Sequence, residues 1–271
     1  MSEKYGPDKV DIYLIPGITF PIERTGWDGD EYWAGLLAAL TAWGWRGKLL
    51  RVGLYAADTN VEIRLHEDGA PAGKNVPIKE LGRRLAWRIF NDHSEQARSV
   101  AVVSHSMGGL VIRAALAGVQ ITEPGFPPYL DIEAVVTLAT PHQGNRFVPT
   151  DVLGDNVQRR DLTFGSELIT WLRANPQVTR LARWTVIGTV EDQYLDPPTT
   201  AVDMAAASKV MYQADQGLDH MNIHHISRGS FSYYRWTADA RRWRRVPAGP
   251  SPVEMVWDAL HQGAGHDHDL C

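Results

Sequence analysis

Residues 100–116 read VAVVSHSMGGLVIRAAL, an apolar stretch that meets Ser104-His105-Ser106-Met107-Gly108-Gly109 and then takes up helical spacing. A strand turning sharply into a helix can hold one side chain proud of the sheet's carboxyl edge. The backbone there is strained, and the residues two before and two after must be small. Ser104 and Gly108 meet that requirement around Ser106. A helix starting at the same corner aims its dipole and free N–H groups at the exposed side chain, which favours developing negative charge. Such a corner suits attack by a hydroxyl on a carbonyl. That chemistry needs a base, a group to orient the base, and a second donor for the oxyanion.

The SHSMGG run is a variant of the G-x-S-x-G elbow, and the chain resembles the α/β-hydrolase superfamily, serine lipase/esterase branch, where GHSMGG is frequent. Its departure is Ser104 in place of the first glycine, a residue small enough for the position. A phosphate-binding glycine loop is the competing reading, but neither G-x-G-x-x-G nor G-x-x-x-x-G-K stands here. TLATPHQG (137–144) is similar to the TPH-x-G signature of bacterial triacylglycerol lipases. DLTFGSELITWL (161–172) looks like the segment that follows it in those lipases and in GPI inositol-deacylase-like proteins. These matches span most of the chain from Val10 to His220.

The resemblance implies the remaining roles. Oxyanion donors are the N–H of Met107 and that of Ile18, in an Ile15-Pro16-Gly17-Ile18 run where the family carries His-Gly-X. Proline replaces that histidine. Superfamily order is nucleophile, acid, histidine, so the base comes late. His220, His224, His225 and His261 follow the last strand of the series, and the DH-x-x-I form selects His220. Glu191, Asp192 and Asp196 crowd after WTVIGT; the family's G-x-x-x-D spacing selects Asp192, with Glu191 as runner-up. His142 is implied to be structural, and neither cofactor nor metal is implied. The expected catalyst is a carboxylic ester hydrolase with a Ser106–His220–Asp192 triad and an acyl-enzyme. An acyltransferase or lipid deacylase on the same triad is the alternative.

Those residues need elements to position them. VDIYLIPG (10–17), GKLLRVGLY (47–55), SVAVVSHS, LDIEAVVTLATPHQG, RWTVIGTVEDQYLD and SKVMYQA read as buried strands. Between them, DEYWAGLLAALTAWGW, broken at Gly44, IKELGRRLAWRIFNDH and MGGLVIRAALAGV carry helical spacing. The alternation predicts an α/β class: an α/β-hydrolase fold with a mostly parallel central sheet, helices on both faces and a helical cap insertion. The whole chain, 1–271, reads as one domain, with 56–77 a polar surface loop and 145–183 a cap of loops and one or two helices. In the cap, Ser166 is expected as an N-cap, with Asp155 or Asp161 serving an earlier turn. HMNIHHIS looks helical, FSYYRWTADARRWRR (231–245) looks like a hairpin, and Ser251-Pro252-Val253-Glu254 is a capping box for a last helix. Residues 262–271 read as a flexible tail.

Composition narrows the partners. A net charge of −5 argues against nucleic acid. Cys271 is the one cysteine, so no intramolecular disulfide forms, and MSEKYGPDKV lacks the features of a signal peptide. With no apolar run of membrane-spanning length, the expectation is a cytoplasmic protein acting on a small-molecule or lipid ester, with non-classical export, peripheral membrane contact and oligomeric state left open. Two other classes compete. His220 and His224 at i, i+4 could share a metal, but Met221 stands where a zincin has glutamate, and the tail GAGHDHDLC reads as a solvated end. A binding protein that kept the fold alone would leave every role of an acyl-transfer site filled to no purpose. Arg235, Arg241, Arg242, Arg244 and Arg245 in the hairpin read as a solvated edge that blocks strand addition, in preference to a dock for anionic headgroups. Trp27, Trp33 and Trp171 fit an apolar acyl pocket and ordinary core packing equally.

Overall fold

Strands buried on both faces are rich in Val, Ile and Leu and pair in parallel under covering helices. In the computed structural model, which describes residues 9–261 apart from 22, 66–72, 147, 149–152, 176 and 178–182, they form one sheet. In chain order the strands are β1 (Asp11–Ile15), β2 (Leu49–Gly53), β3 (Ile63–Arg64), β4 (Val100–His105), β5 (Ile132–Leu138), β6 (Arg183–Thr189), β7 (Ser208–Tyr212), β8 (Phe231–Thr237) and β9 (Trp243–Gly249). Across the sheet the order is β3-β2-β1-β4-β5-β6-β7-β8-β9. Pairing is parallel from β3 through β7 and antiparallel from there to β9. The chain winds outward from β1 to β3 and returns to β4 on the other side of β1. Ligand sites in open α/β sheets lie outside the carboxyl ends at such a switch point. Ser106 follows β4 and Ile18 follows β1, on the two sides of that crevice.

Both faces are covered. α3 (Ile78–Asp92) and α4 (Gly108–Gln120) pack Leu81, Leu85, Leu110 and Val111 against Tyr13, Val102 and Val135. On the other face, α1 (Gly29–Tyr32), α2 (Ala34–Ala42) and α7 (Pro252–His261) pack Leu36, Leu40 and Val256 against Ile12, Val103 and Val136. The period-two alternation along β1, β4 and β5 sorts neighbouring side chains into the two cores. Ser251 and Glu254 close the capping box of α7: the Glu254 carboxylate accepts from the Ser251 N–H at 2.8 Å. Between β5 and β6 lie α5 (Val157–Asp161) and α6 (Glu167–Ala174), the latter capped by Ser166, whose Oγ accepts from the Ile169 N–H. Among the described residues no helix is long and apolar enough to cross a membrane.

Several local expectations give way. The loop 56–77 contains β3, a strand too short and too one-sided for a periodic signal. The first long helix is two, because the chain turns at Trp33 between α1 and α2. α5 is capped by Asn156, which accepts from the Arg159 N–H; Asp155 instead pairs with Arg159 and Arg160. Asp161 caps a helix from a distance, accepting the Ile78 N–H at the start of α3. The stretch HMNIHHIS is a run of turns, not a helix. The tail 262–271 lies outside the described residues.

Where β4 passes into α4, Gly108 rests against the backbone carbonyls of Ile15 and Pro16 at the end of β1, too close for any β-carbon. Gly108→Val must push α4 away from that strand. It should destabilise the fold by about 1–3 kcal/mol, read as a lower thermal midpoint. An unchanged midpoint would mean that this approach is not as tight as described.

Candidate active site

Ser106 has φ 53°, a left-handed conformation that a residue with a β-carbon adopts only under constraint. The constraint is visible. Its N–H donates to Leu138 O at 2.8 Å at the end of β5. Its carbonyl accepts from the Gly109 N–H at 3.1 Å and from Thr140 Oγ1 at 2.8 Å. Three anchors hold the corner, and the side chain is left at the carboxyl edge of the sheet.

The loops after β6 and β7 bring two more groups to that side chain. Ser106 O–H donates to His220 Nε2 at 3.0 Å, and His220 Nδ1–H donates to Asp192 Oδ2 at 2.8 Å. The second oxygen, Oδ1, accepts the N–H groups of Tyr194 at 2.9 Å and Leu195 at 3.0 Å, so the carboxylate cannot rotate away. All three residues are buried, with Asp192 4%, His220 3% and Ser106 8% exposed. Asp219 shapes the histidine loop: its carboxylate accepts from the Met221 and Asn222 N–H groups, and Asn222 Oδ1 accepts from the Asp219 N–H. This is an Asx turn with a reciprocal bond.

The loop after β1 lies against Ser106 through Gly17. Gly17 N–H donates to Tyr32 Oη at 2.8 Å, and Gly17 O accepts from Trp27 Nε1–H at 3.2 Å. Both polar groups of Gly17 are thereby occupied, which orients the next amide. The amides of Ile18 and Met107 meet no acceptor among the described residues. Phe20, Trp27 and Tyr194 form an aromatic wall; the Phe20 and Tyr194 rings lie 5.0 Å apart, and Tyr194 lies 5.2 Å from the His220 ring.

The other candidates lie elsewhere. Glu191 faces Gln216, whose N–H it accepts at 3.5 Å, and Asp196 engages Arg146 and Asn145 through its backbone. His142 is buried against Thr137, and its carbonyl accepts from Arg113. His225 Nδ1 accepts from the Gly35 N–H, and His261 donates to Trp257 O on α7. His224 is buried, its ring 4.2 Å from that of His105. His220 has both ring nitrogens engaged by Asp192 and Ser106, and among the described residues no group of three metal-ligating side chains converges. Two residues that spacing did not single out join the site. Tyr32 O–H donates to His105 Nδ1 at 2.5 Å, and His105 Nε2–H donates to the His220 carbonyl at 2.8 Å. The available signal was adjacency, since His105 directly precedes the serine.

Burial holds His105, His142 and His224 neutral, well below the ordinary histidine range. Neighbouring cationic or imidazole groups reinforce this: His224 and His220 for His105, Arg113 for His142, His225 for His224. Once unfolded, these rings take up protons below about pH 6.5, whereas the folded protein does not. The stability they confer is therefore complete above that pH and is lost as the pH falls, by up to about 1.4 kcal/mol per pH unit for each ring. Urea midpoints should be level above about pH 7 and drop through the window from about 6.5 to 5. Midpoints that rise on acidification would show that these rings are charged in the folded state.

Residues 62–170 match the family described as "Putative serine esterase (DUF676)". No curated protein matches the chain in sequence. Among solved structures it is similar to Aspergillus fumigatus lipase B, with 16% identity and a TM-score of 0.51 over 76% of this chain and 45% of that one. It is also similar to the mature form of Bacillus licheniformis lipase BlEst2, with 17% identity and a TM-score of 0.44 over 71% of each chain. The chain thus spans less than half the length of the fungal lipase. The chain has the α/β-hydrolase fold, and in the segment carrying β3, α3, the Ser106 corner and β5 it matches a serine esterase family.

Proposed function

We propose that this protein is a carboxylic ester hydrolase of the lipase/esterase type, with Ser106 as nucleophile, His220 as base and Asp192 as orienting acid. One observation carries this reading: the unbroken hydrogen-bonded line from the Asp192 carboxylate through His220 to a hydroxyl held at a strained corner. In that line His220 carries its proton on Nδ1, so Nε2 is free to take the serine proton. Ser106 Oγ attacks the ester carbonyl as its proton passes to Nε2. The carbonyl oxygen becomes an oxyanion held by the Met107 and Ile18 N–H groups. Collapse breaks the bond to the alcohol oxygen, which takes the proton from Nε2 and leaves an acyl-serine. Water repeats the sequence, returning the hydroxyl and releasing the acid. Asp192 orients His220 and stabilises the imidazolium.

Residues 145–183 serve as the cap of this single domain. Asn145, where the segment begins, donates to Tyr194 O and accepts from the Asp196 N–H, which ties the segment to the acid loop. The wall of Phe20, Trp27 and Tyr194 suits an ester with an apolar acyl or alcohol part.

A panel of p-nitrophenyl esters of rising chain length, with a fluorophosphonate probe, tests the proposal. The wild type should hydrolyse the esters and be labelled. Ser106→Ala should lose label and at least about 10⁴-fold in kcat, and Asp192→Asn about 10⁴-fold at neutral pH. Hydrolysis that survives Ser106→Ala would sink the proposal.

A further inference from the structure

Building on the hydrolase reading above, we infer that Tyr32 and His105 are positioning residues: a buried strut that sets the oxyanion loop and the backbone of His220 at a fixed span around Ser106. The strut is a directional chain. Gly17 N–H donates to Tyr32 Oη at 2.8 Å, Tyr32 O–H to His105 Nδ1 at 2.5 Å, and His105 Nε2–H to the His220 carbonyl at 2.8 Å. Each terminus adjoins a working group. Gly17 precedes Ile18, His105 precedes Ser106, and the receiving carbonyl belongs to the base itself. The loops after β1 and β7 are joined by two side chains, one from α1 and one from the end of β4, and the covalent step from His105 to Ser106 places the nucleophile inside the span.

Only one proton arrangement satisfies the chain. The His220 carbonyl can only accept, so His105 carries its proton on Nε2 and presents a lone pair at Nδ1. The Gly17 amide can only donate, so the Tyr32 proton is free to point at that lone pair. The surroundings enforce this arrangement. Tyr32 and His105 are buried, burial keeps the imidazole neutral and the phenol protonated, and His224 stacks on His105 at 4.2 Å. Buried hydrogen bonds of this kind meet no competition from water. A charged His105 would lose the lone pair and break the chain at its centre. The Tyr32 ring packs against Trp27 at 4.9 Å and Trp33 at 5.2 Å, so its hydroxyl can be removed without removing the ring.

Tyr32→Phe keeps that packing and deletes two of the three bonds. Displacement of reacting groups by about 1 Å costs about 10²-fold in rate. Tyr32→Phe should therefore lower kcat by about 10- to 100-fold with KM within about twofold. A trifluoromethyl ketone, which needs the oxyanion donors once Ser106 has added to it, should lose affinity in step with kcat/KM. His105→Gln keeps an N–H that can reach the His220 carbonyl and should retain more activity than His105→Phe. Tyr32→Phe combined with His105→Phe should be no worse than His105→Phe alone. Wild-type kcat in Tyr32→Phe, or a rise in KM that tracks lost thermal stability, would overturn the inference while leaving the hydrolase reading intact. Equal activity in His105→Gln and His105→Phe would overturn it too, independently of how Tyr32→Phe folds. A wild type that neither turns over esters nor takes the fluorophosphonate label would overturn the hydrolase reading itself.

Discussion

The architecture turns on a single backbone angle. Ser106 cannot rest at φ 53° on its own account, because its β-carbon opposes that conformation. The corner persists because Leu138, Gly109 and Thr140 hold it from three directions. These anchors belong to β5, α4 and the loop after β5, so the strain is offset by the packing of a large part of the sheet. The small residues around the corner serve the same end. Gly108 admits the β1 carbonyls and Gly17 lies against Ser106 itself. A compact fold here is the condition for holding that one hydroxyl at the carboxyl edge of the sheet.

Polarity around that hydroxyl is arranged in two tiers. The lower tier is neutral: His105, His224 and Tyr32 are buried, and burial strips the two imidazoles of charge. The upper tier holds the Asp192 carboxylate, tied by two backbone N–H groups and by His220. Because a carboxylate oxygen can only accept, this fixed anion draws the His220 proton to Nδ1. The same dryness makes each hydrogen bond count for more than it would in water.

Most of the sheet was legible in the sequence because strands buried on both faces are nearly continuous apolar runs, and strand–helix alternation with short links leaves few topologies. β3 escaped because two residues at an edge carry no periodicity. The chain turn at Trp33 escaped because both halves keep apolar helical spacing. Asn156 in place of Asp155 as a cap shows the same limit, since either side chain can cap and only the local backbone chooses. The run HMNIHHIS looked helical by composition, yet the bonds between Asp219 and Asn222 hold it in turns.

What the sequence determined alone was local: a strained strand-to-helix corner at Ser106 with small neighbours, whereas the order of its partners along the chain came from the resemblance to the α/β-hydrolase superfamily. The rules for such a corner act over a few residues, where sterics and spacing suffice. The tertiary structure decided which of two adjacent carboxylates faces the imidazole, turning Asp192 toward His220 and Glu191 toward Gln216. It also decided that Tyr32 and His105 bridge the loops after β1 and β7. Neither outcome could be read beforehand, because neighbouring side chains on a loop diverge by torsions of a few bonds. Residues 73 and 115 positions apart meet only once the sheet has brought its carboxyl ends together.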